Sequence, residues 1–326
     1  MNSKVVLLIV TIVLTTAALG SAQQPKKVAR IGFLGNSTPE LEANLVGPFR
    51  EGLRELGYIE KKNIFIEYRW IEGKYERLPR LIGELLSLPV DLIVTAGTPA
   101  SLAVKKATDS VPLVMIAVGD PVGTGLIKSL HHPGGNATGV TSIASDLEGK
   151  RLELLREVAP KVNSVAALWN PVSPFQVVSE KELQAAAQGL RIRILSLPVK
   201  SPEDIEAAFG IMGKERPEAL MVLADRFFLH HRARIMEFAV QNRLPGVHAY
   251  QELVETGGLM SYGPSYAEMH RRAAYFVDRI LKGTKPADLP VERPTRFELM
   301  INLKTAKQIG LAIPPTVLAR ANKVIK

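Results

Sequence analysis

Short β-branched runs ending in Gly, Asn, Asp or Pro recur along this chain, and a segment with helical spacing follows nearly every one. Val28–Gly35, Asn63–Trp70, Asp91–Gly97 and Pro112–Gly119 read as strands. Between them, 41–56 reads as an amphipathic helix closed by Gly57, 75–86 as a second, and Thr98-Pro99 opens a third, Pro being preorganised for a first helical turn. Near-continuous apolar strands are the mark of a parallel sheet covered on both faces.

After Asn136–Ser142 and a helix near 147–158 the pattern begins again. Strands are expected at Ser164–Asn170, Arg191–Leu197, Ala219–Asp225 and Leu244–Tyr250, with helices over 179–188, 202–212 and 232–242. Strand starts near Ile31, Ile64 and Leu92 are 33 and 28 residues apart; those near Val165, Ile192 and Ala219 are 27 and 27 apart. Two βαβαβ units are the economical reading. The fold class is α/β: two doubly wound parallel-sheet lobes joined by crossing hinge segments. Leu259–Gly263, a helix over 266–281 and Phe297–Leu303 are too short for a third domain, and they are read as crossing back to complete the two sheets. Residues 28–142 with about 258–290 form the expected first lobe, and 143–257 with about 291–326 the second. Two lobes joined by several crossings make a hinged cleft suited to closing on a ligand.

Lys4, the apolar stretch from Val5 to Leu14 and the small residues Gly20, Ser21 and Ala22 read as a signal peptide (residues 1–22) cleaved after Ala22. The run is shorter than the roughly 20 residues needed to span a bilayer. Export is therefore expected, with a soluble mature chain. Zero Cys excludes disulfides, thiolate metal sites, a cysteine nucleophile and a lipidated cysteine. The net charge of +9 is spread without a dense Lys/Arg block, so no nucleic-acid partner is expected.

Enzyme signatures are missing. No Ser sits in a G-x-S-x-G elbow, and no G-x-x-x-x-G-K-[ST] loop occurs. Gly123-Thr124-Gly125 is followed by Lys128 where a dinucleotide fingerprint needs Gly. The paired histidines 131–132 and 230–231 diverge on either kind of element and make a poor metal site. No catalytic residue, metal or cofactor is assigned.

The motifs VARIGFLGNSTP, FREGLRELGY, DLIVTAGTPAS, VPLVMIAVGDPVGTGLI, NATGVTS, LWNP and GGLMSYG occur in order. With them the chain resembles the ABC-transporter substrate-binding proteins, within them the family containing the tryptophan/tyrosine-binding lipoprotein type, over roughly residues 28–322. The resemblance implies a type I periplasmic binding protein fold, capture of a small-molecule ligand outside the membrane, and delivery to an ABC permease driven by a cytoplasmic ATPase. Without a lipidated cysteine the protein is expected free in a periplasm, as a monomer. The segments LWNPVSPF and ADRFF replace loops that aromatic-amino-acid binders carry, so the ligand is not transferred. An aromatic or branched amino acid is the family-weighted choice, beside other small carboxylates, amides and purine-like solutes. A sensor module docking on a signalling receptor, and a secreted enzyme on the same scaffold, are the alternatives.

Ligands of open α/β sheets bind beyond the carboxyl ends of the strands. Those ends carry Asn36-Ser37-Thr38, Gly97-Thr98-Pro99 and Gly119-Asp120-Pro121 in the first lobe, and Asn170-Pro171, Asp225-Arg226 and Tyr250 in the second. Gly97 and Gly119 let backbone amides approach a ligand. Amides at the helix starts, with the hydroxyls of Ser37, Thr98 and Ser101, are expected to hold a carboxylate without a charged side chain. Asp120 or Asp225 would pair with an ammonium, and Tyr250 or Tyr262 would stack on an apolar part. The plain alternatives are that Asn36, Thr98, Asp120 and Asp225 only cap helices or turns, and that the tyrosines are core.

Overall fold

The computed structural model describes residues 28–142 and 147–326, so the signal-peptide reading lies outside the described residues. The first sheet contains β1 (Ala29–Gly35), β2 (Ile64–Trp70), β3 (Leu92–Ala96), β4 (Leu113–Val118) and β5 (Ala137–Thr141), in the order β2-β1-β3-β4-β5, all parallel. Every residue of β3, β4 and β5 is buried, as a sheet covered on both faces demands. Helices α1 (Ala43–Glu55), α2 (Leu78–Leu86) and α3 (Thr98–Ala107) connect these strands. The expected C′ glycine after α1 is Gly57, at φ +87°.

The second lobe holds α4 (Glu148–Val158), β6 (Ser164–Trp169), α5 (Pro174–Leu190), β7 (Arg193–Pro198), α6 (Pro202–Glu215) and β8 (Ala219–Val222), with parallel strand order β7-β6-β8. Helix α6 has a complete start signal: Ser201 accepts the Asp204 N–H (3.3 Å), Pro202 follows, and Glu203 and Asp204 sit in the first turn. Two short helices, α7 (Arg226–His230) and α8 (Arg232–Gln241), lead to β9 (Val247–His248) and α9 (Gln251–Glu255).

The strand expected over 244–250 is reduced to β9, because Leu244 caps the preceding helix by bonding to Ala239 O. The Leu220 N–H reaches Pro245 O (3.0 Å) and joins this segment to β8. From there β9, β10 (Met260–Pro264), β11 (Phe297–Asn302) and β12 (Lys323–Ile325) continue in the order β12-β11-β10-β9, with β10 and β11 antiparallel.

The segment 258–290, grouped with the first lobe from sequence, divides. Strand β10 pairs with β9 and β11, whereas α10 (Tyr266–Leu281) packs on α1. At that contact a Cβ on Gly52 would come within 2.6 Å of Arg271 O, and the Tyr58 hydroxyl donates to Asp278 (3.1 Å). The division falls at Pro264–Tyr266 because strand pairing and helix packing make demands on opposite sides of that one turn.

A further passage crosses between the sheets through 292–296. It is tied to β5 by Thr141 N–H to Glu292 O (2.9 Å) and Glu292 N–H to Gly139 O (3.0 Å). Two short helices, α11 (Leu303–Ile309) and α12 (Pro315–Leu318), close the chain before β12. The largest buried cluster contains residues of both lobes, Phe33 and Phe49 of the first with Phe227 and Phe228 of the second.

Candidate functional site

The carboxyl ends of the two sheets face each other across the cleft, and each is organised by an asparagine at the point where strand order reverses. In the first lobe Asn36, just after β1, donates its side-chain amide to Ala96 O at the end of β3 (3.0 Å). In the second, Asn170, just after β6, donates to Asp225 Oδ1 beyond the end of β8 (3.2 Å). The two units therefore repeat one site-building device as well as one topology.

Glu42, at the start of α1, accepts the backbone N–H groups of Asn36 (2.9 Å) and Ser37 (2.8 Å) on one carboxylate oxygen. Burial pushes its carboxyl above the ordinary range, while Arg226 and those two amides pull it back. Asp225 caps α7 through the Phe227 N–H (2.9 Å) and also accepts the Tyr75 hydroxyl (2.8 Å). Its carboxyl is raised by burial and held down by its three donors and Arg226. Tyr75 stands in a 3-10 turn (Tyr75–Arg77) after β2, so its bond to Asp225 runs from lobe to lobe.

Three more polar contacts cross in the same way. Ser37 Oγ meets His230 Nδ1 (2.8 Å), Asn44 Nδ2 donates to Glu252 Oε1 (3.1 Å), and Arg232 reaches Leu41 O (3.4 Å). Burial lowers His230 below the ordinary imidazole range, against the pull of Glu72. The Phe175 ring, from the first turn of α5, lies against Gly119. A Cβ there would come 2.4 Å from the ring. These contacts define a closed conformation.

Between the lobes lies a cavity of about 10 Å³, lined by Gly97, Thr98, Pro99, Ala117, Gly119 and Ser142 on one side and by Ser173, Phe175, Ala224, Asp225, Arg226 and Tyr250 on the other. That volume suits roughly one water molecule, so an amino-acid-sized solute enters only when the lobes part. Ala117 has φ +55°, where β4 slips register against β5 between Ile116 and Val118. A non-glycine residue held in that region is strained, and here the strain sits on the cavity wall.

Of the residues singled out from sequence, Gly97, Thr98, Gly119, Asp225 and Tyr250 line this cavity. Asn36, Ser37, Ser101 and Asn170 are buried at the same strand ends. Thr38 holds its own turn by accepting the Leu41 N–H. Asp120 is exposed, its carboxylate bonded to the Gly123 N–H (2.8 Å) as a turn cap, and neither it nor Pro121 lines the cavity. Tyr262 stacks on Phe297 (6.3 Å) on the second sheet, away from the cavity. Thr38 and Asp120 are engaged by local turn partners, and Tyr262 by a cross-strand ring.

The cradle expected for a carboxylate is occupied in part, with Ser101 Oγ buried and without a hydrogen-bond partner among the described residues. Gly97 N–H bonds to Ile116 O (2.8 Å) and Gly119 N–H to Thr98 Oγ1 (3.3 Å), while Ser37 Oγ is taken by His230. Tyr75 is not found from sequence and reaches the cleft only through tertiary packing. Phe175 and Arg226 lie in the LWNPVSPF and ADRFF segments and at a strand end, but are given no role there.

Comparison with known proteins gives a consistent result. A family model described as ABC transporter substrate binding protein matches residues 36–325. A tyrosine-binding protein of Clostridioides difficile (strain R20291) is 26% identical over 264 residues, 81% of this chain and 75% of that protein. A crystal structure of a conserved domain protein from Vibrio cholerae superposes with TM-score 0.85 at 28% identity, covering 91% of this chain and all of that one. The structure of an ABC domain from Streptococcus pneumonia in complex with L-Trp gives TM-score 0.84 at 28% identity, covering 91% of this chain and 99% of the other.

Proposed function

This chain belongs to the ABC transporter substrate-binding protein family, and from that premise we propose that it is the solute receptor of an importer, closing on an aromatic α-amino acid of the tryptophan or tyrosine kind. The observation that carries the reading is Asp225, a buried carboxylate on the cavity wall held by Tyr75 from the opposite lobe. An ammonium group beside Asp225 would gain a charge-assisted bond in a low-dielectric site. Closing the lobes would bring Tyr75 onto the same carboxylate. Tyr250, buried at the wall, offers a ring face to the side chain of the solute. The L-Trp complex and the tyrosine-binding relative support the choice of an aromatic solute.

On this reading the receptor works outside the cytoplasmic membrane, where proteins of this family capture their solutes. It binds without chemistry, and its closed form hands the solute to an ABC permease in the inner membrane. Selectivity rests on differential affinity for the closed state.

Isothermal titration of the purified protein with L-Trp, L-Tyr, L-Phe and L-Leu tests the ligand class, with native mass spectrometry to detect solute retained from expression. Micromolar or tighter binding of L-Trp or L-Tyr, lost in Asp225→Asn, is expected. Absence of binding by every aromatic amino acid refutes the ligand class. Transport dependence on the receptor in a permease-bearing membrane tests delivery.

A further inference from the structure

Arg226 opens α7 directly after its cap, is only 3% exposed, and none of its three guanidinium nitrogens has a hydrogen-bond partner among the described residues. A guanidinium carries five N–H donors, and burying it unbonded is costly. Its place is nonetheless fixed. The stem passes over Gly97, where a Cβ would come 3.1 Å from Arg226 Cγ. The charged head lies 5.2 Å from the Tyr250 ring and 5.0 Å from the Tyr266 ring. Glu42 and Glu252 act on it through space. Neither bonds to it: one oxygen of Glu42 holds the Asn36 and Ser37 amides, and one of Glu252 holds Asn44. The charge is compensated, then, and the hydrogen-bonding capacity is not. The Tyr266 hydroxyl beside it is likewise buried and unpartnered.

We propose that Arg226 is the carboxylate anchor of the solute, so that adjacent residues grip the two ends of an α-amino acid, Asp225 the ammonium and Arg226 the carboxylate. The inference rests on reading the cleft as an amino-acid site, and it departs from the amide-and-hydroxyl cradle that the sequence suggested. The planar fork of a guanidinium matches a carboxylate in two parallel bonds, which the bonded amides of Gly97 and Gly119 cannot offer. With Glu42, Glu252 and Asp225 around Arg226, a zwitterion adds no net charge to the set, whereas a bare carboxylate adds a fourth negative group. The site therefore selects for both groups together.

The test pairs ligand truncation with substitution. L-Trp, L-Tyr, tryptamine (no carboxylate) and indole-3-propionate (no ammonium) are titrated into wild type, Arg226→Gln and Arg226→Lys, with thermal midpoints measured in parallel. Loss of a charge-assisted bidentate contact predicts at least a ~30-fold weaker L-Trp complex in Arg226→Gln, with tryptamine affinity changed by less than about threefold. Arg226→Lys should recover part of the L-Trp loss, because it keeps the charge without the fork. Wild type should bind both truncated ligands at least about tenfold more weakly than L-Trp. Equal losses for L-Trp and tryptamine in either variant overturn the proposal, as does wild-type tryptamine affinity within about threefold of L-Trp. The wild-type comparison and Arg226→Lys decide the matter even if Arg226→Gln does not fold. If neither L-Trp nor L-Tyr binds wild type, the amino-acid reading has failed and the anchor falls with it. If they bind but carboxylate truncation costs nothing, the anchor alone fails.

Discussion

Replacing Tyr75 by Phe removes one oxygen and tests whether closure, rather than the fold, is what the lobe-to-lobe bonds stabilise. The Tyr75 hydroxyl donates to Asp225 Oδ1 at 2.8 Å from the opposite lobe. In an open form both groups face water and lose little. A hydrogen bond to a charged acceptor contributes roughly 1.5–3 kcal/mol. Asp225 would keep the Phe227 N–H at 2.9 Å and the Asn170 amide at 3.2 Å, so it is not orphaned and the lower end applies. About 1.5 kcal/mol corresponds to roughly a tenfold loss of affinity. Because the bond exists only when the lobes meet, the loss should appear in the dissociation rate, with the association rate within about twofold of wild type. Stopped-flow fluorescence with L-Tyr can follow both rates, since Trp169 ends β6 next to Asn170. An unchanged dissociation rate, or a defect confined to association, would refute the argument that this bond belongs to the closed state.

Gly119→Ala puts a methyl 2.4 Å from the Phe175 ring across the cleft. Overpacking of that kind costs about 1–3 kcal/mol, so affinity should fall roughly 5- to 100-fold while scattering reports a more open protein; an unchanged radius of gyration and affinity refute it. Arg151→Leu strands Glu148, since the pair is bonded at 2.6 Å with both side chains at most 1% exposed; urea unfolding should show a loss of about 3–5 kcal/mol, and a loss below about 1 kcal/mol contradicts the reading. Burial pushes His248 down to about 3, so between pH 6.5 and 3 the unfolded chain takes up the proton first and stability falls as pH falls. At pH 5 this one group costs about 2 kcal/mol relative to pH 7.5, and His248→Gln should flatten the profile by that amount; parallel profiles in variant and wild type refute the assignment.

The strand–helix alternation was legible because it is written locally. β1, β3, β4 and β6 begin and end within one or two residues of the apolar runs that announce them, and Gly57 and Pro202 punctuate as their chemistry requires. The lobe membership of 258–264 was not, since LMSYG carries the same apolar signal whichever sheet it joins; only pairing with β9 and β11 decides it. The site divides along the same line. Asp225 and Thr98 follow from strand-end position alone. Asp120 has the same strand-end position, yet Gly123 three residues on captures its carboxylate, the turn-cap alternative that position alone leaves open. Tyr75 lies outside any strand-end motif and reaches the cleft because the turn after β2 in one lobe meets the other. Contacts of this class leave no periodic trace in a single sequence.

Closure and recognition share atoms here, and that sharing has a thermodynamic consequence. A ligand moves an open–closed equilibrium only by its differential affinity for the two states. Tyr75, Phe227 and Asn170 all converge on one oxygen of Asp225, and the first of them comes from the opposite lobe. A cation placed on Asp225 favours the ionised carboxylate against the burial that raises it, and the ionised form is the acceptor that Tyr75 must find. Solute and lobe contact are thus coupled through a single carboxylate. The contacts Ser37–His230 and Asn44–Glu252 lie on other residues and should close the lobes with or without solute. Substitutions at those two pairs are therefore expected to change affinity for every solute by a common factor. Substitutions at Tyr75 and Asp225 should change it most for solutes that carry an ammonium group.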